Sequence, residues 1–270
     1  MIIAIDTGGT KTLVARFSKR GTLEKHIKFP TPTDQYEYLE QLVHFIGKLT
    51  DKKQLECISV ALPDIGEGSF VAQFSNLPWK NFDVVAELSP LFPGTKVIAG
   101  NDAKLGGLGE VRTMSPLPTR ALYITISTGI GTGFISGGNI DKTLAVAEGG
   151  HMVLEFDGVL QEWEHFASGK AIYTVYKKYG SEITSKRTWR QITDRFSRGF
   201  LALIPLLRPE IIIIGGSMGT HFEKYGELLS GMIEERLPTT VRRPKIVQAR
   251  HPEEAVIYGC YYHAIDSLNR

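Results

Sequence analysis

The sequence predicts an α/β protein made of two related halves, and three observations predict it. The chain opens on Ile2 to Thr12, IIAIDTGGTKT, where a strand-like apolar run ends in an aspartate and two glycines and a second apolar run follows at once. The same order of strand, glycine turn and strand returns at Tyr123 to Ser136, with Asp6-Thr7-Gly8 lying over Ser127-Thr128-Gly129. Short apolar runs at Ile58 to Leu62, Lys96 to Ala99, Ile211 to Ile214 and Ile246 to Ala249 alternate with helix-type segments, as in α/β proteins.

In the opening stretch, Ile2 to Ile5 deliver Asp6 at the carboxyl end of a strand, the place where ligands bind in open α/β sheets. Gly8 and Gly9 are expected to take positive φ and to bring the backbone close to a bound group, while Thr7, Thr10 and Thr12 offer hydroxyls and Lys11 a cation. This is the chemistry of a phosphate cradle. Leu13 to Phe17 and Leu23 to Phe29 read as further strands, so the cradle is a hairpin. No Walker loop is present, because the Gly169-Lys170 pair is followed by Ala171.

Further along, Thr33-Asp34 can cap a helix whose apolar residues Tyr38, Leu42, Phe45, Ile46 and Leu49 recur at helical spacing. The segment from Asp64 to Trp79 is read as irregular. Lys96 to Ala99 presents Gly100, Asn101 and Asp102 just before a helix over Ala103 to Val111, in which Gly106, Gly107 and Gly109 indicate close packing or a hinge. Trp189 to Leu207 is a helix with Ile192, Phe196, Phe200, Leu203 and Leu207 on its apolar face. Ile211 to Ile214 is a buried strand that ends in Gly215-Gly216 and is followed by a helix to Leu237; a helix over Glu253 to Leu268 closes the chain.

With 270 residues the chain is long enough for one large domain or two lobes that each bury a core. A hydrophobic content of 42%, 22% charged residues and a net charge of +2 describe an ordinary globular protein with no basic tract for nucleic acid. Arg242, Arg243 and Lys245 are read as a solvated loop. Cys57 and Cys260, far apart in sequence, suggest neither a disulfide framework nor a cysteine metal site, which points to the cytoplasm. The N-terminal apolar run is too short for a signal core or a membrane span.

Six motifs occur in a fixed order: Asp6-Thr7-Gly8-Gly9-Thr10-Lys11, Asn76-Leu77-Pro78-Trp79, Asn101-Asp102-Ala103, Ser127-Thr128-Gly129-Ile130-Gly131, Glu148 with Gly150-His151, and Glu164 with Ala167-Ser168-Gly169. With Ile214-Gly215-Gly216 they span nearly the whole chain, and in this set the sequence resembles the ROK family of sugar kinases and related repressors. The resemblance implies a two-lobed actin-like, ribonuclease-H-like ATPase fold with a central cleft. The small lobe would be residues 1–113 plus a C-terminal helix, 255–270, and the large lobe 114–254. It also implies ATP with Mg²⁺, a hexose or hexosamine as acceptor with glucose as the default, a homodimer, and no nucleic-acid or membrane partner.

By that resemblance Asp102 is the general base that orients and deprotonates the sugar hydroxyl, against the plainer use of an aspartate as a helix cap. Asp6 would hold Mg²⁺ through water. Gly8, Gly9, Thr10 and Lys11 from the first hairpin and Thr128, Gly129, Gly131, Thr132 and Gly133 from the second would contact phosphate. Gly215 and Gly216 either admit adenine and ribose or simply build a turn. Asn76, Asn101, Glu148, His151 and Glu164 are the candidate sugar ligands. Two departures from the family stand out. The stretch between His151 and Glu164 is short and lacks cysteine, so no structural zinc is expected, and Gly100 and Lys104 stand where the family tends to have glutamate and asparagine. Two rivals are a sugar-sensing regulator of the same family, disfavoured because no helix-turn-helix segment precedes Ile2, and a non-catalytic sugar-binding protein, disfavoured by Asp102 and the two glycine hairpins.

Overall fold

The opening apolar run forms β1 (Ile2–Thr7), buried at every position but Asp6, because strands lie on both sides of it. The computed structural model describes residues 1–50, 54–66 and 68–269. Two compact units are present: Met1–Arg112 with Val256–Arg270, and Thr113–Ala255.

In the first unit β1 pairs antiparallel with β2 (Lys11–Phe17), which pairs with β3 (Leu23–Pro30). Helix α1 (Gln35–Thr50) starts at Asp34, whose Oδ1 accepts the amides of Tyr36 and Glu37 at 2.9 Å each, the expected cap. Its buried residues Tyr38, Leu42, Ile46 and Leu49 pack in one core with Ile3, Ile5 and Val14, while Phe45 lies at the edge against Phe29. Strand β4 (Cys57–Leu62) runs parallel to β1.

The next stretch is not irregular throughout: β5 (Phe70–Gln73) and β6 (Lys80–Asp83) pair as a hairpin. Within its two strands only Val71 and Phe82 are buried, too few apolar positions to give an alternating pattern. Asp83 caps the short α2 (Val84–Leu88), and β7 (Lys96–Asn101) joins β4 in parallel before α3 (Asp102–Arg112). The sheet order is β3-β2-β1-β4-β7.

In the second unit β8 (Arg120–Ile126) pairs antiparallel with β9 (Ile130–Ser136), followed by β10 (Asn139–Ile140). A separate hairpin, β11 (Val153–Phe156) and β12 (Val159–Glu162), leads into α4 (Trp163–Ala167) and α5 (Gly169–Tyr176). Helix α6 (Lys186–Leu207) buries Ile192, Phe196, Phe200 and Leu203 as its spacing predicts, with Leu207 partly buried against the same core and Trp189 buried as well. Strand β13 (Ile211–Gly215) runs parallel to β8.

The helix expected to follow as far as Leu237 is broken into α7 (Gly216–Gly219), a single turn at Phe222–Lys224 and α8 (Gly226–Arg236). Four glycines in this segment, Gly216, Gly219, Gly226 and Gly231, cost a continuous helix about 1 kcal/mol each. Arg243 is not merely solvated: its guanidinium donates to the carbonyls of Glu234, Leu237, Pro238 and Val241 and pairs with Glu234 at 3.1 Å, closing the end of α8. Strand β14 (Lys245–Gln248) completes the order β10-β9-β8-β13-β14, the same as in the first unit. Two sheets with one topology are what the repeated hairpin motif suggests.

The last helix, α9 (Ala255–Leu268), packs with the first unit. Tyr261 stacks on Phe17, and Arg112 of α3 pairs with Asp266 at 2.8 Å. A Cβ at Gly259 would lie 1.7 Å from the carbonyl oxygen of Leu105, and Gly106, Gly107 and Gly109 are all buried, so the glycines of α3 sit in a tightly packed helix. Among the described residues no helix is long and apolar enough to cross a membrane.

Candidate active site

In the first unit three parallel strand ends lie side by side: β1 ends near Asp6, β4 at Leu62 and β7 at Asn101, with Asp6 opposite Ala61 and Leu62 opposite Asn101. Asn101 and Asp102 divide their tasks. The Asn101 side chain, 8% exposed, accepts the amide of Lys104 at 3.2 Å and so caps α3. Asp102 follows in the first helical turn, its Oδ1 accepting the amide of Ala103 at 2.7 Å, which fixes the carboxylate's direction. The plainer use of Asp102 as the helix cap is therefore taken by its neighbour.

Burial first, and then the negative charge of Asp102, push the Asp6 carboxyl up to about 7, with Lys28 working against them. Two carboxylates within mutual electrostatic reach at the end of one sheet form an anionic corner. A divalent cation would relieve that repulsion, so these residues suit one.

The turn between β1 and β2 differs from expectation. Neither Gly8 nor Gly9 takes positive φ. Gly9 is favoured by close approach instead, since a Cβ there would meet Asn76 Cβ and O at 3.1 Å. Thr7 and Thr12 are fully buried and their hydroxyls are committed, Thr7 to Tyr38 at 2.6 Å and Thr12 to Thr31 at 2.9 Å. Thr10 and Lys11 are exposed on the turn and remain the groups able to meet a phosphate.

Asn76 stands against this turn and donates to Ser75 Oγ at 3.1 Å. Ser75 donates to Asp64 Oδ2 through both its amide and its hydroxyl. Asp64, in the left-handed region with φ 58°, thus holds the loop that carries Asn76, and Thr31 pins the turn by donating to the Gly8 carbonyl at 2.7 Å. Sequence reasoning missed both; Asp64, set directly after a buried strand and a proline, was the available signal. Trp79 is 2% exposed among Tyr38, Phe74 and Phe82, a core residue.

In the second unit the turn at Ser127 to Gly129 closes by a Ser127 amide donating to the Gly129 carbonyl, leaving Thr128 exposed. Glu164 from α4 lies on this turn: its Oε2 accepts the amide of Ile130 at 3.1 Å and would meet a Cβ on Gly129 at 2.6 Å. Gly131, next in β9, is half-buried. Thr132, expected to contact phosphate, has its hydroxyl engaged within the fold. It is fully buried, and its hydroxyl accepts the amide of Gly149 at 2.9 Å, positioning the Glu148 to His151 segment. Gly133 is buried within β9 opposite Tyr123, away from the turn.

That segment is locked further at Gly150, where a Cβ would lie 2.0 Å from the Ile130 carbonyl oxygen. His151 Nδ1 and Glu162 Oε2 share a hydrogen bond of 2.6 Å, which raises the histidine's pKa and lowers the glutamate's; the charges of Glu164, Glu162 and Glu148 add to the rise. Those charges put Glu148 and Glu164 within electrostatic reach of His151. Glu162 is the member of this group that sequence reasoning missed.

His151, Glu162 and Glu164 also present donor atoms within 4.8 Å of one another, a set able to hold a metal ion. The short His151–Glu162 hydrogen bond sets the spacing of two of the three. Gly215 and Gly216 have structural reasons to be glycine: a Cβ at 215 would meet the Tyr123 hydroxyl at 2.2 Å, and Gly216 has φ +78°.

The model of the ROK family matches residues 2–267. The chain belongs to the ROK family. Among ROK relatives, the kanosamine kinase of Amycolatopsis mediterranei is 32% identical over 264 residues, covering 86% of each chain. The glucokinase of Thermotoga maritima is 26% identical over 306 residues, covering 96% of this chain and 95% of its own. A ROK family glucokinase from Streptomyces griseus, solved in complex with glucose and AMPPNP, matches with a TM-score of 0.83 at 19% identity, covering 98% of this chain and 99% of its own. The α/β fold expected from the motifs, that of the actin-like ATPases, is the fold of this ROK chain.

Proposed function

We propose that the chain is an ATP-dependent sugar kinase that phosphorylates a hydroxyl of a hexose or an aminohexose. The observation that carries this reading is the division of labour at α3: Asn101 caps the helix and Asp102, beside it, faces the same anionic corner as Asp6. The ROK relatives named as glucokinase and kanosamine kinase support a six-carbon sugar, with or without an amino group, as acceptor.

Asp102 accepts the proton of the acceptor hydroxyl as its oxygen attacks the γ-phosphorus, and the bridging oxygen leaves with ADP. In the first unit Thr10 and Lys11, and in the second Thr128 and the backbone at Gly129 and Gly131, each offer donors suited to phosphate oxygens. Glu148, His151 and Glu164 match sugar hydroxyls; His151 held by Glu162 keeps a fixed donor direction, and Glu164 is aimed by the Ile130 amide. Asp6 would hold Mg²⁺ through water, and the ion, when bound, neutralises charge on the β- and γ-phosphate oxygens.

A panel of hexoses and aminohexoses with MgATP in a coupled ADP-release assay tests this, run beside Asp102→Asn. The variant is expected to bind sugar in calorimetry while turnover falls about 10²-fold or more. Near-normal turnover removes Asp102 from its role. Sugar binding by the unaltered protein with no ADP release across the panel would favour a sugar-sensing regulator instead.

A further inference from the structure

The motifs leave one charged face unexplained. Along the first half of α6, Arg187, Gln191, Asp194 and Arg198 share one face with Arg190, opposite the buried Trp189, Ile192 and Phe196. A basic helix face usually projects into solvent. Here Met232 and Arg236 of α8 and Phe156 and Asp157 of the β11–β12 hairpin flank it, leaving an open, solvent-facing cavity of about 470 Å³. That volume lies in the range of small-molecule sites, about 300–1,000 Å³.

The cavity's charge is unbalanced. Four guanidiniums line it, those of Arg187, Arg190, Arg195 and Arg236, against the carboxylates of Asp157 and Asp194. Asp194 is already shared between Arg236 at 2.6 Å and Arg198 at 3.1 Å. Arg195 is fixed, donating to the Phe166 carbonyl at 3.0 Å with its guanidinium 4.6 Å from the centre of the Phe156 ring. Among the described residues Arg187 and Arg190 have no ion-pair partner. An excess of two positive charges, presented by planar forks beside the buried Phe156 and Met232, matches the charge and shape of a phosphomonoester dianion with an apolar or ring-shaped remainder.

We propose that this cavity is a second ligand site, within the Thr113–Ala255 unit, for a small molecule carrying a dianionic phosphate group. It shares no residue with the proposed catalytic set and does not depend on the kinase reading. Arg187 and Arg190 supply the bidentate contacts, while Arg195 and Arg236 set the positive field.

Calorimetry of the full chain with phenyl phosphate as the probe tests this, with phenyl sulfate as a monoanion of similar shape. Phenyl phosphate is expected to bind, and the double variant Arg187→Ala/Arg190→Ala to weaken it about tenfold or more. Lys11→Ala, which alters the first phosphate turn, is expected to leave that affinity unchanged. Phenyl sulfate is expected to bind more weakly than phenyl phosphate. Unchanged affinity in the double variant, loss of binding in Lys11→Ala, equal affinity for the two anions, or no heat at millimolar phenyl phosphate would each overturn the proposal. Both double-variant positions are exposed, and a far-UV spectrum and thermal melt matching the unaltered protein confirm that a loss is one of binding.

Discussion

The two five-stranded sheets share one strand order and one glycine hairpin at the same place in it, yet they place their charged groups by different means. In the first unit the carboxylates belong to the sheet itself: Asp6 lies on β1 and Asp102 directly follows β7. In the second unit the hairpin turn carries no charge, and Glu148, His151, Glu162 and Glu164 arrive on segments inserted between β10 and α5. The comparison teaches that the repeated sheet supplies a frame, while chemistry is set by what each unit attaches at its strand ends.

The sharpest way to break this comparison is to treat the glycines of the two units as equivalent. Alanine at Gly150 meets a backbone carbonyl at 2.0 Å, which cannot yield without moving β9, whereas at Gly9 it meets an exposed asparagine at 3.1 Å. We expect Gly150→Ala to destabilise by about 3 kcal/mol or more, and Gly9→Ala by about 1 kcal/mol or less. Urea unfolding of the two variants checks this; equal losses would mean that the second hairpin is no more rigidly locked than the first.

A second contrast is electrostatic: at the sheet end of the first unit the buried Asp6 carboxyl feels the negative charge of Asp102. Asp6 binds its proton more tightly folded, at about 7, than unfolded, at 3.8, so its burial favours the native state at low pH and this contribution is lost as pH rises from about 4 to 7. Asp6→Asn is therefore expected to be more stable than the unaltered protein at pH 8, by a margin of about 1–4 kcal/mol. The margin should narrow through neutrality and vanish near pH 4. Turnover with MgATP should fall in the same variant. A margin independent of pH would show that Asp6 is not the strained group.

Thr132 sharpens the division within the second unit. If its hydroxyl serves only to hold the Gly149 amide, Thr132→Val should cost about 1–2 kcal/mol and raise KM for sugar while leaving KM for ATP nearly unchanged. A selective rise in KM for ATP would return Thr132 to the phosphate-binding set.

Much of this was legible in the chain. The apolar runs located the buried strands, and Asp34 and the spacing of Tyr38, Leu42, Ile46 and Leu49 marked α1, because burial on one side imposes a pattern on sequence. The β5–β6 hairpin was not legible, since with only Val71 and Phe82 buried within its two strands it has no such pattern. The direction of a hydroxyl is likewise invisible in a string of residues. Thr7, Thr10 and Thr12 look alike in sequence, but strand alternation turns the first and last inward and leaves Thr10 on the turn. Glu162 escaped notice because its role depends on the β11–β12 pairing, which brings it to His151 from eleven residues away.

The smallest expected effect, and the most specific, concerns that histidine. His151 has its pKa raised first by the hydrogen bond it donates to Glu162, and Glu162 is correspondingly lowered. The raised histidine favours the folded state below its unfolded pKa and loses that effect as pH climbs through the folded value; the lowered glutamate helps above its own unfolded pKa and fails as pH falls. The pair is thus of use only in the window between the two titrations. Both side chains are partly exposed, so the effect on overall stability is slight. Glu162→Gln should move the His151 titration, followed by its ring-proton resonances, down toward the ordinary value of 6.5. If His151 binds sugar as an oriented, charged donor, KM for sugar in this variant should begin to rise at a lower pH than in the unaltered protein, whereas no such difference would be seen if the ring only fastens the hairpin to its neighbouring turn.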